Sequence, residues 1–215
     1  SKNTVPKSYS DRINEERVSL IDSIPLQGPL TVHIEPTNIC NFKCKFCPES
    51  FDNYKEKAGG NFMLSPENFE IITSQLKMLP RLKQLNFFMM GEPFANKNII
   101  KFVQKAVSDD LSYSYMISSN GALLTEEKFQ GLCESGLSYL RISIFGSNEQ
   151  IHRDITQSKI NLSRVKQNIK KFKTFKEENN YDFPRVLVKM IDSQKKEQNE
   201  EFLRDFTGLG DETLI

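Results

Sequence analysis

The chain has 215 residues, of which 38% are hydrophobic and 27% charged, a composition typical of a globular protein with one large domain or two small ones. Its 29 basic and 28 acidic side chains leave a net charge of +1, so no overall field draws it to nucleic acid or to an anionic membrane. The apolar runs are too short to cross a bilayer and the N-terminus lacks the apolar core of a signal peptide, so we expect a cytoplasmic protein with neither a nucleic-acid nor a membrane partner.

The N-terminal part of the chain predicts an extension over residues 1–28 that contains a short helix at about 11–22. Residues 30–35 alternate apolar and polar side chains, which predicts the first strand. A long loop that carries three cysteines follows and ends near 59–60. Ser65 then begins a helix as its N-cap, with a proline at the first helical position.

Strands and helices alternate from there to the end of the chain. The pattern predicts strands at about 85–90, 113–118, 139–145, 185–191 and 213–215, and helices at about 97–107, 125–136, 162–178 and 196–206. This alternation indicates parallel strands joined by right-handed helical crossovers, in one core domain over 29–215. Two architectures satisfy the pattern, an open doubly wound sheet and a curved or closed barrel. In both architectures, the loops at the carboxyl ends of the strands form the site.

Three cysteines follow the first strand with the spacing C-x-x-x-C-x-x-C, at Cys40, Cys44 and Cys47. Three thiolates on one short loop suit an iron–sulfur cluster in which one iron keeps no protein ligand. The second C-x-x-C or H-x-x-x-H pair of a structural zinc site is missing from the sequence. Three alternatives stay open: a zinc site completed by His33 or His152, three free thiols, and a non-catalytic iron–sulfur protein that transfers electrons or senses redox state.

This cysteine spacing after a first strand resembles the signature of the radical S-adenosylmethionine (SAM) superfamily. Later motifs extend the resemblance along most of the chain. Gly91-Glu92-Pro93 after the second strand is similar to the family's GGE-type motif, Ser119-Asn120-Gly121 to the polar turn after the third, and Ser143 to the serine of the fourth strand. The resemblance implies a partial (β/α)6 TIM-like barrel of parallel strands with outer helices.

The resemblance also implies an activity and cofactors. A [4Fe–4S] cluster on the three cysteines would reductively cleave SAM, and the resulting 5′-deoxyadenosyl radical would take a hydrogen atom from a substrate. We expect a peptide or a sugar-type small molecule as the substrate, and a reducing partner such as flavodoxin or ferredoxin. Relatives of the SPASM or twitch type carry a further cysteine-rich domain after a similar core, so we expect this chain to be truncated at its C-terminus.

The resemblance assigns roles in SAM binding to one aromatic residue, one aliphatic residue and one turn. Phe46, just before the last cysteine, would lie against the adenine of SAM, and Ile191 at the end of the fifth strand would pack on it. The turn at Gly91 and Glu92 would receive the amino group of the methionine moiety, because a carboxylate and backbone carbonyls suit an ammonium group. Pro93 would direct the chain out of this turn.

Four further polar residues are candidate contacts of SAM. Ser119, Asn120 and Ser143 would donate or accept hydrogen bonds at its ribose or carboxylate. Arg153 is the candidate partner of the methionine carboxylate, although the family's usual arginine aligns closer to Thr156. Each also has a structural interpretation, because Asn and Gly favour tight turns and a buried serine can bond to the backbone.

Overall fold

A computed structural model describes residues 19–215. The first 18 residues, and with them most of the helix predicted at 11–22, lie outside the described part of the chain. Leu20–Ser23 form a short 3-10 turn. None of the helices in the described part is both long and apolar enough to span a membrane.

Strands and helices alternate along the described chain. The strands are β1 (Thr31–Ile34), β2 (Gln84–Phe87), β3 (Tyr115–Ser119), β4 (Tyr139–Ile144), β5 (Arg185–Met190) and β6 (Glu212–Leu214). The helices are α1 (Tyr54–Lys57), α2 (Pro66–Leu76), α3 (Ile99–Ser108), α4 (Phe129–Glu134), α5 (Glu149–Thr156), α6 (Leu162–Glu178) and α7 (Lys196–Phe206). Short 3-10 turns occur at Pro48–Ser50, Pro93–Ala95 and Glu126–Lys128.

The strands form one parallel sheet in which the order of the strands is their order along the chain. A doubly wound sheet reverses its strand order at a switch point, and this sheet has no such reversal. Among the described residues β1 and β6 are not paired with each other, so the barrel is partial. The predicted partial (β/α)6 barrel is confirmed.

The main core lies between one face of the sheet and the helices. On β4, Leu140, Ile142 and Ile144 are buried in it, because alternate side chains of a strand point to the same face. Arg141 and Ser143 occupy the other face and are half-buried. A second, smaller cluster of buried residues fills part of this inner face, with Met116, Tyr139 and Leu187 as its members. The inner face therefore carries both apolar and polar side chains.

Three elements differ most from the sequence predictions. Helix α1 lies within the long cysteine-bearing loop, where no helix was predicted. Strand β2 ends at Phe87 instead of near 90, so the next three residues leave the sheet in a bend at the carboxyl end of β2. Helix α5 between β4 and α6 was not predicted. Its N-cap Asn148 accepts a hydrogen bond from the amide of Ile151 at 3.1 Å, and Gln157 ends it in the left-handed conformation at φ 50°. With eight residues it is shorter than the window of about 11–18 residues over which a helical period is counted.

Candidate active site

The carboxyl ends of the first four strands surround a cavity of about 360 Å³. The cysteines of the loop after β1 line it, together with Phe46. The predicted site residues that line it from the following strand ends are Gly91, Glu92, Ser119, Asn120 and Ser143. The fold therefore gathers most of the predicted site residues around one space.

A second cavity of about 440 Å³ adjoins the first, and the two share Phe46 and Phe145 in their walls. Ile191 lies in this second cavity with Met190 and Ile155. Phe46 and Ile191 are 54% and 70% exposed, so both present apolar surface that no neighbouring residue covers. The two residues predicted to contact adenine thus line the same apolar cavity.

The three cysteines of the loop are free thiols. Burial raises the pKa of the Cys40 thiol to about 11, and burial and the nearby cysteines raise that of Cys44 to about 12. The amide of Phe42 donates to Cys40 Sγ at 3.4 Å, and the amide of Cys47 donates to the carbonyl of Cys44 at 2.9 Å. Backbone hydrogen bonds within the loop therefore hold it beside Cys40 and between Cys44 and Cys47.

The donor set fits an iron–sulfur cluster better than zinc. No three His, Cys, Asp or Glu side chains within residues 19–215 are arranged to hold a single metal ion. The ring Nε2 of His33 lies 3.2 Å from Asn86 Nδ2, and that of His152 lies 3.1 Å from the carbonyl of Ile160. Neither ring lines the cavity that the three cysteines share. A [4Fe–4S] cluster takes each thiolate on a separate iron atom, and three thiols around one cavity provide that.

Glu92 is buried, and its carboxylate accepts three hydrogen bonds from neighbouring residues. Its carboxylate accepts from the amide of Phe94 at 3.1 Å, the hydroxyl of Ser119 at 2.7 Å and the amide of Asn120 at 2.8 Å. Burial raises the pKa of this carboxyl group above its usual range. Glu92 therefore joins its own turn to the end of β3, and its amide reaches the cysteine loop by donating to Ile39 O at 2.9 Å.

Ser119 and Asn120 line the cavity and also hold the turn after β3 together. The Ser119 hydroxyl accepts from the amide of Gly121 at 2.9 Å in addition to its bond to Glu92. The Asn120 side chain accepts from the amide of Ala122 at 2.9 Å and donates to Asn41 Oδ1 at 2.8 Å. Its Nδ2 also lies 3.9 Å from Cys40 Sγ. Asn120 thus connects the end of β3 to the cysteine loop.

Two predicted residues lie outside the walls of both cavities. Pro93 is buried and begins the 3-10 turn after Glu92. Arg153 is exposed on α5. The first cavity instead contains Arg141, whose Nε donates to Ser118 Oγ at 2.9 Å and whose guanidinium lies 4.7 Å from the centre of the Phe88 ring.

Sequence reasoning missed Arg141, although a signal was present. Arg141 and Ser143 are two residues apart in an otherwise apolar strand, so they share a face. Ser143 was a predicted site residue. A charged side chain on the same face of the same strand is therefore a candidate to line the same cavity.

A family model described as the radical SAM superfamily matches residues 34–184, from the end of β1 to the residue before β5. The chain belongs to the radical SAM superfamily. The members of this superfamily are enzymes that use a [4Fe–4S] cluster and SAM and need a reductant.

Two curated relatives and one solved structure illustrate the similarity. The PqqA peptide cyclase of Rhodopseudomonas palustris is 32% identical over 123 residues, which are 57% of this chain and 30% of the relative. The SAM-dependent 2-deoxy-scyllo-inosamine dehydrogenase of Niallia circulans is 29% identical over 106 residues, which are 49% of this chain and 41% of the relative. The chain therefore spans less than half the length of either curated relative.

The solved structure is Streptococcus suis SuiB bound to SAM. It superimposes with a TM-score of 0.67 at 17% identity, over 88% of this chain and 40% of that chain. At this identity the likeness shows the fold alone, which is the partial barrel described above.

Proposed function

We propose that Cys40, Cys44 and Cys47 bind the [4Fe–4S] cluster and that SAM lies across the two adjoining cavities. The observation that carries this proposal is the continuity of the two spaces. The three thiols and the polar strand ends line the first cavity, and Phe46 extends from it into the apolar second one. The cluster, when bound, supplies the electron that cleaves SAM to a 5′-deoxyadenosyl radical.

The second cavity suits the adenine of SAM. Phe46 and Phe145 have ring centroids 6.0 Å apart and form one wall, and Ile191 lies on the same cavity. A flat heterocycle buries apolar surface there and covers the exposed faces of Phe46 and Ile191. We therefore assign the adenine contacts to these three residues.

The first cavity suits the methionine end of SAM. The carboxylate of Glu92 holds the end of β3, so we assign the ammonium group to the backbone carbonyls of the turn around Gly91. We assign the methionine carboxylate to Arg141 instead of Arg153, because a guanidinium held by Ser118 and stacked on an aromatic ring matches a carboxylate in shape and charge. Ser143, two residues further along β4, is assigned to the ribose.

The substrate and the partners are also part of the proposal. We propose that the radical takes hydrogen from a peptide or a sugar-type small molecule, in an oxidoreductase-type or peptide- or sugar-modifying reaction. The names of the two curated relatives, a peptide cyclase and a dehydrogenase of 2-deoxy-scyllo-inosamine, support these two classes. We further propose a core domain over 29–215 after an extension over 1–28, a cytoplasmic location without a nucleic-acid or membrane partner, and a flavodoxin or ferredoxin as the electron donor.

The test is electron paramagnetic resonance (EPR) of the anaerobically reconstituted, dithionite-reduced protein with and without SAM. We expect a reduced [4Fe–4S] signal that changes when SAM is added. Cys44→Ala should lose this signal, whereas Cys133→Ala should keep it, because Cys133 lies outside both cavities. A signal indifferent to SAM would favour an electron carrier, and a protein that binds zinc without iron would overturn the proposal.

The assignment of the methionine carboxylate has its own test, the affinity of the reconstituted protein for SAM. Arg141→Ala should weaken SAM binding by roughly tenfold or more, as expected for the loss of a charge-assisted contact. Arg153→Ala is the matched control, because Arg153 is exposed and lies on neither cavity. If Arg153→Ala weakens binding and Arg141→Ala does not, the assignment is wrong.

A further inference from the structure

The C-terminal end of helix α5 holds the backbone of the cysteine loop. The amide of Lys43 donates to the carbonyl of Thr156 at 2.9 Å, and the amide of Lys45 donates to the carbonyl of Ile155 at 2.9 Å. These two amides flank Cys44, which is buried with 6% of its surface exposed. The last carbonyls of a helix lack partners within the helix, so the cysteine loop satisfies them.

A ring contact strengthens this junction. His152 on α5 is buried, and its ring meets the ring of Phe42 edge-on, with centroids 5.5 Å apart and an interplanar angle of 82°. Phe42 lies between two of the cysteines and is itself 2% exposed. The Nε2 of His152 is 3.1 Å from the carbonyl of Ile160, in the segment that follows α5. His152 therefore fixes the distance between α5 and the cysteine loop.

The other end of α5 is fastened to α7. The carboxylate of Glu201 on α7 accepts from the hydroxyl of Ser147 at 2.6 Å and from Nδ2 of Asn148, the N-cap of α5, at 2.9 Å. Asn148 in turn accepts from the amide of Ile151. Glu201 thus determines where α5 begins, and the cysteine loop is attached where α5 ends.

We propose that α5 positions Cys44 for the cluster, and that Glu201 and His152 are positioning residues of the iron–sulfur site. The inference rests on the proposed role of Cys44 as a ligand. Neither Glu201 nor His152 lines either cavity. Glu201 acts through the start of α5, and His152 acts through its ring contact with Phe42 of the cysteine loop. Residues that orient metal ligands contribute strongly to metal retention, because a small displacement of a ligand weakens its bond.

The first test uses Glu201→Ala, Glu201→Gln and the control Glu200→Ala. Glu200 is the neighbouring exposed residue of α7, and its ion-pair partner is Lys196 at 3.7 Å. Each protein is reconstituted anaerobically, and the loss of visible cluster absorbance to an iron chelator is followed over time. We expect Glu201→Ala to lose the cluster roughly tenfold faster than the wild type. Glu201→Gln keeps an acceptor oxygen and should restore most of the retention, and Glu200→Ala should behave as the wild type.

The second test uses His152→Leu, in case Glu201→Ala fails to fold. Leucine keeps apolar bulk but loses the ring contact to Phe42 and the contact to Ile160. The EPR g-values of the reduced cluster are the decisive measurement, because they report the geometry at the cluster and not the stability of the protein. We expect shifted g-values in this variant and in Glu201→Ala, at equal iron content.

The outcomes separate this inference from the proposed function. If the wild type binds no cluster, the proposed function fails. If the wild type binds it and both variants keep wild-type g-values and wild-type retention, α5 is a purely structural helix and the inference is overturned. A lower melting temperature of the variant apo-proteins, with unchanged g-values, overturns it as well.

Discussion

At the scale of single residues, Gly91 is a position where no side chain fits. A Cβ at this residue would overlap the carbonyl oxygen of Thr37 and lie 2.8 Å from the carbonyl carbon of Thr37 and 2.9 Å from that of Asn38. All three contacts are with backbone atoms of the segment that leads into the cysteine loop, so these atoms cannot move without shifting that loop. The close approach of two backbone segments explains the glycine.

We therefore predict that Gly91→Ala lowers the melting temperature of the apo-protein and reduces the iron bound after reconstitution. Gly131→Ala is the control, because a Cβ there meets only side-chain atoms of Ile100 at 3.2 Å and a helix favours alanine. We expect the control to melt at the wild-type temperature or above it. Wild-type iron content in Gly91→Ala would contradict this account of the turn.

Glu92 is the second residue-scale feature, because one buried carboxylate accepts three hydrogen bonds. Glu92→Gln leaves a single acceptor oxygen in the side chain. The new amide N–H₂ group then faces hydrogen-bond donors that pointed at the carboxylate. We predict a decrease of about 1–3 kcal/mol in the free energy of unfolding, measured by urea denaturation of the apo-protein, as for an unsatisfied buried polar group. Glu127→Gln on the surface should leave this free energy unchanged.

At the scale of elements, the start of α6 depends on a residue of α5. Glu149 accepts from the amides of Leu162 at 2.8 Å and Ser163 at 2.7 Å, which are the first two residues of α6. The N-cap of α6, Asn161, makes no capping bond with its side chain. Burial by itself raises the pKa of Glu149, but these amide hydrogen bonds outweigh it and hold the pKa below the usual value.

This lowered pKa gives the prediction a pH dependence. A carboxylate whose pKa is lower in the folded than in the unfolded state stabilises the protein. This stabilisation is complete at pH values above the unfolded-state pKa, about 4.3, and is lost as the pH falls through the folded-state pKa. We predict that Glu149→Gln lowers the free energy of unfolding by about 1 kcal/mol at neutral pH, as for the loss of a helix cap. The difference from the wild type should shrink toward zero in acid, as urea denaturation of the apo-protein at several pH values would show. Glu178→Gln, at the exposed far end of α6, should show no difference at any pH.

At the scale of the whole molecule, Asp211 joins the last β/α unit to the rest of the barrel. Just before β6, its carboxylate pairs with Lys176 of α6 at 3.2 Å and Arg185 of β5 at 3.0 Å, and accepts from the amide of Val186 at 2.6 Å. Lys176 is buried, and its amino group also donates to the carbonyl of Pro184 at 2.7 Å. One carboxylate thus ties the start of β6 to helix α6 and strand β5.

We predict that Asp211→Ala lowers the free energy of unfolding by about 3 kcal/mol or more, because it leaves a buried ammonium group without its anionic partner. Glu177→Ala is the control, since the ion pair of Glu177 with Lys173 is exposed and 3.8 Å long. The measurement is urea denaturation of the apo-protein. Equal stability of the two variants would show that Asp211 does not hold the sixth strand in place.

The sequence by itself determined the order of the strands and the position of the candidate site residues at the carboxyl ends of those strands. Alternating strands and helices are local patterns, because strand and helix periods are read over a few residues. The position of the cysteine loop after β1 and of the polar turns after β2 and β3 follows from that order. In parallel sheets the carboxyl ends of neighbouring strands meet at one edge, so the sequence could predict that these residues share a site.

The tertiary structure alone decided which side chains reach that site and how it is held. The strand order, which distinguishes a partial barrel from a doubly wound sheet, depends on pairing between distant segments. Arg141 lines the cavity and Arg153 does not, because strand register and the orientation of α5 set the direction of each side chain. Likewise, the amides beside Cys44 find their partners more than a hundred residues away on α5. Contacts of this kind come from packing between elements, which no local pattern records.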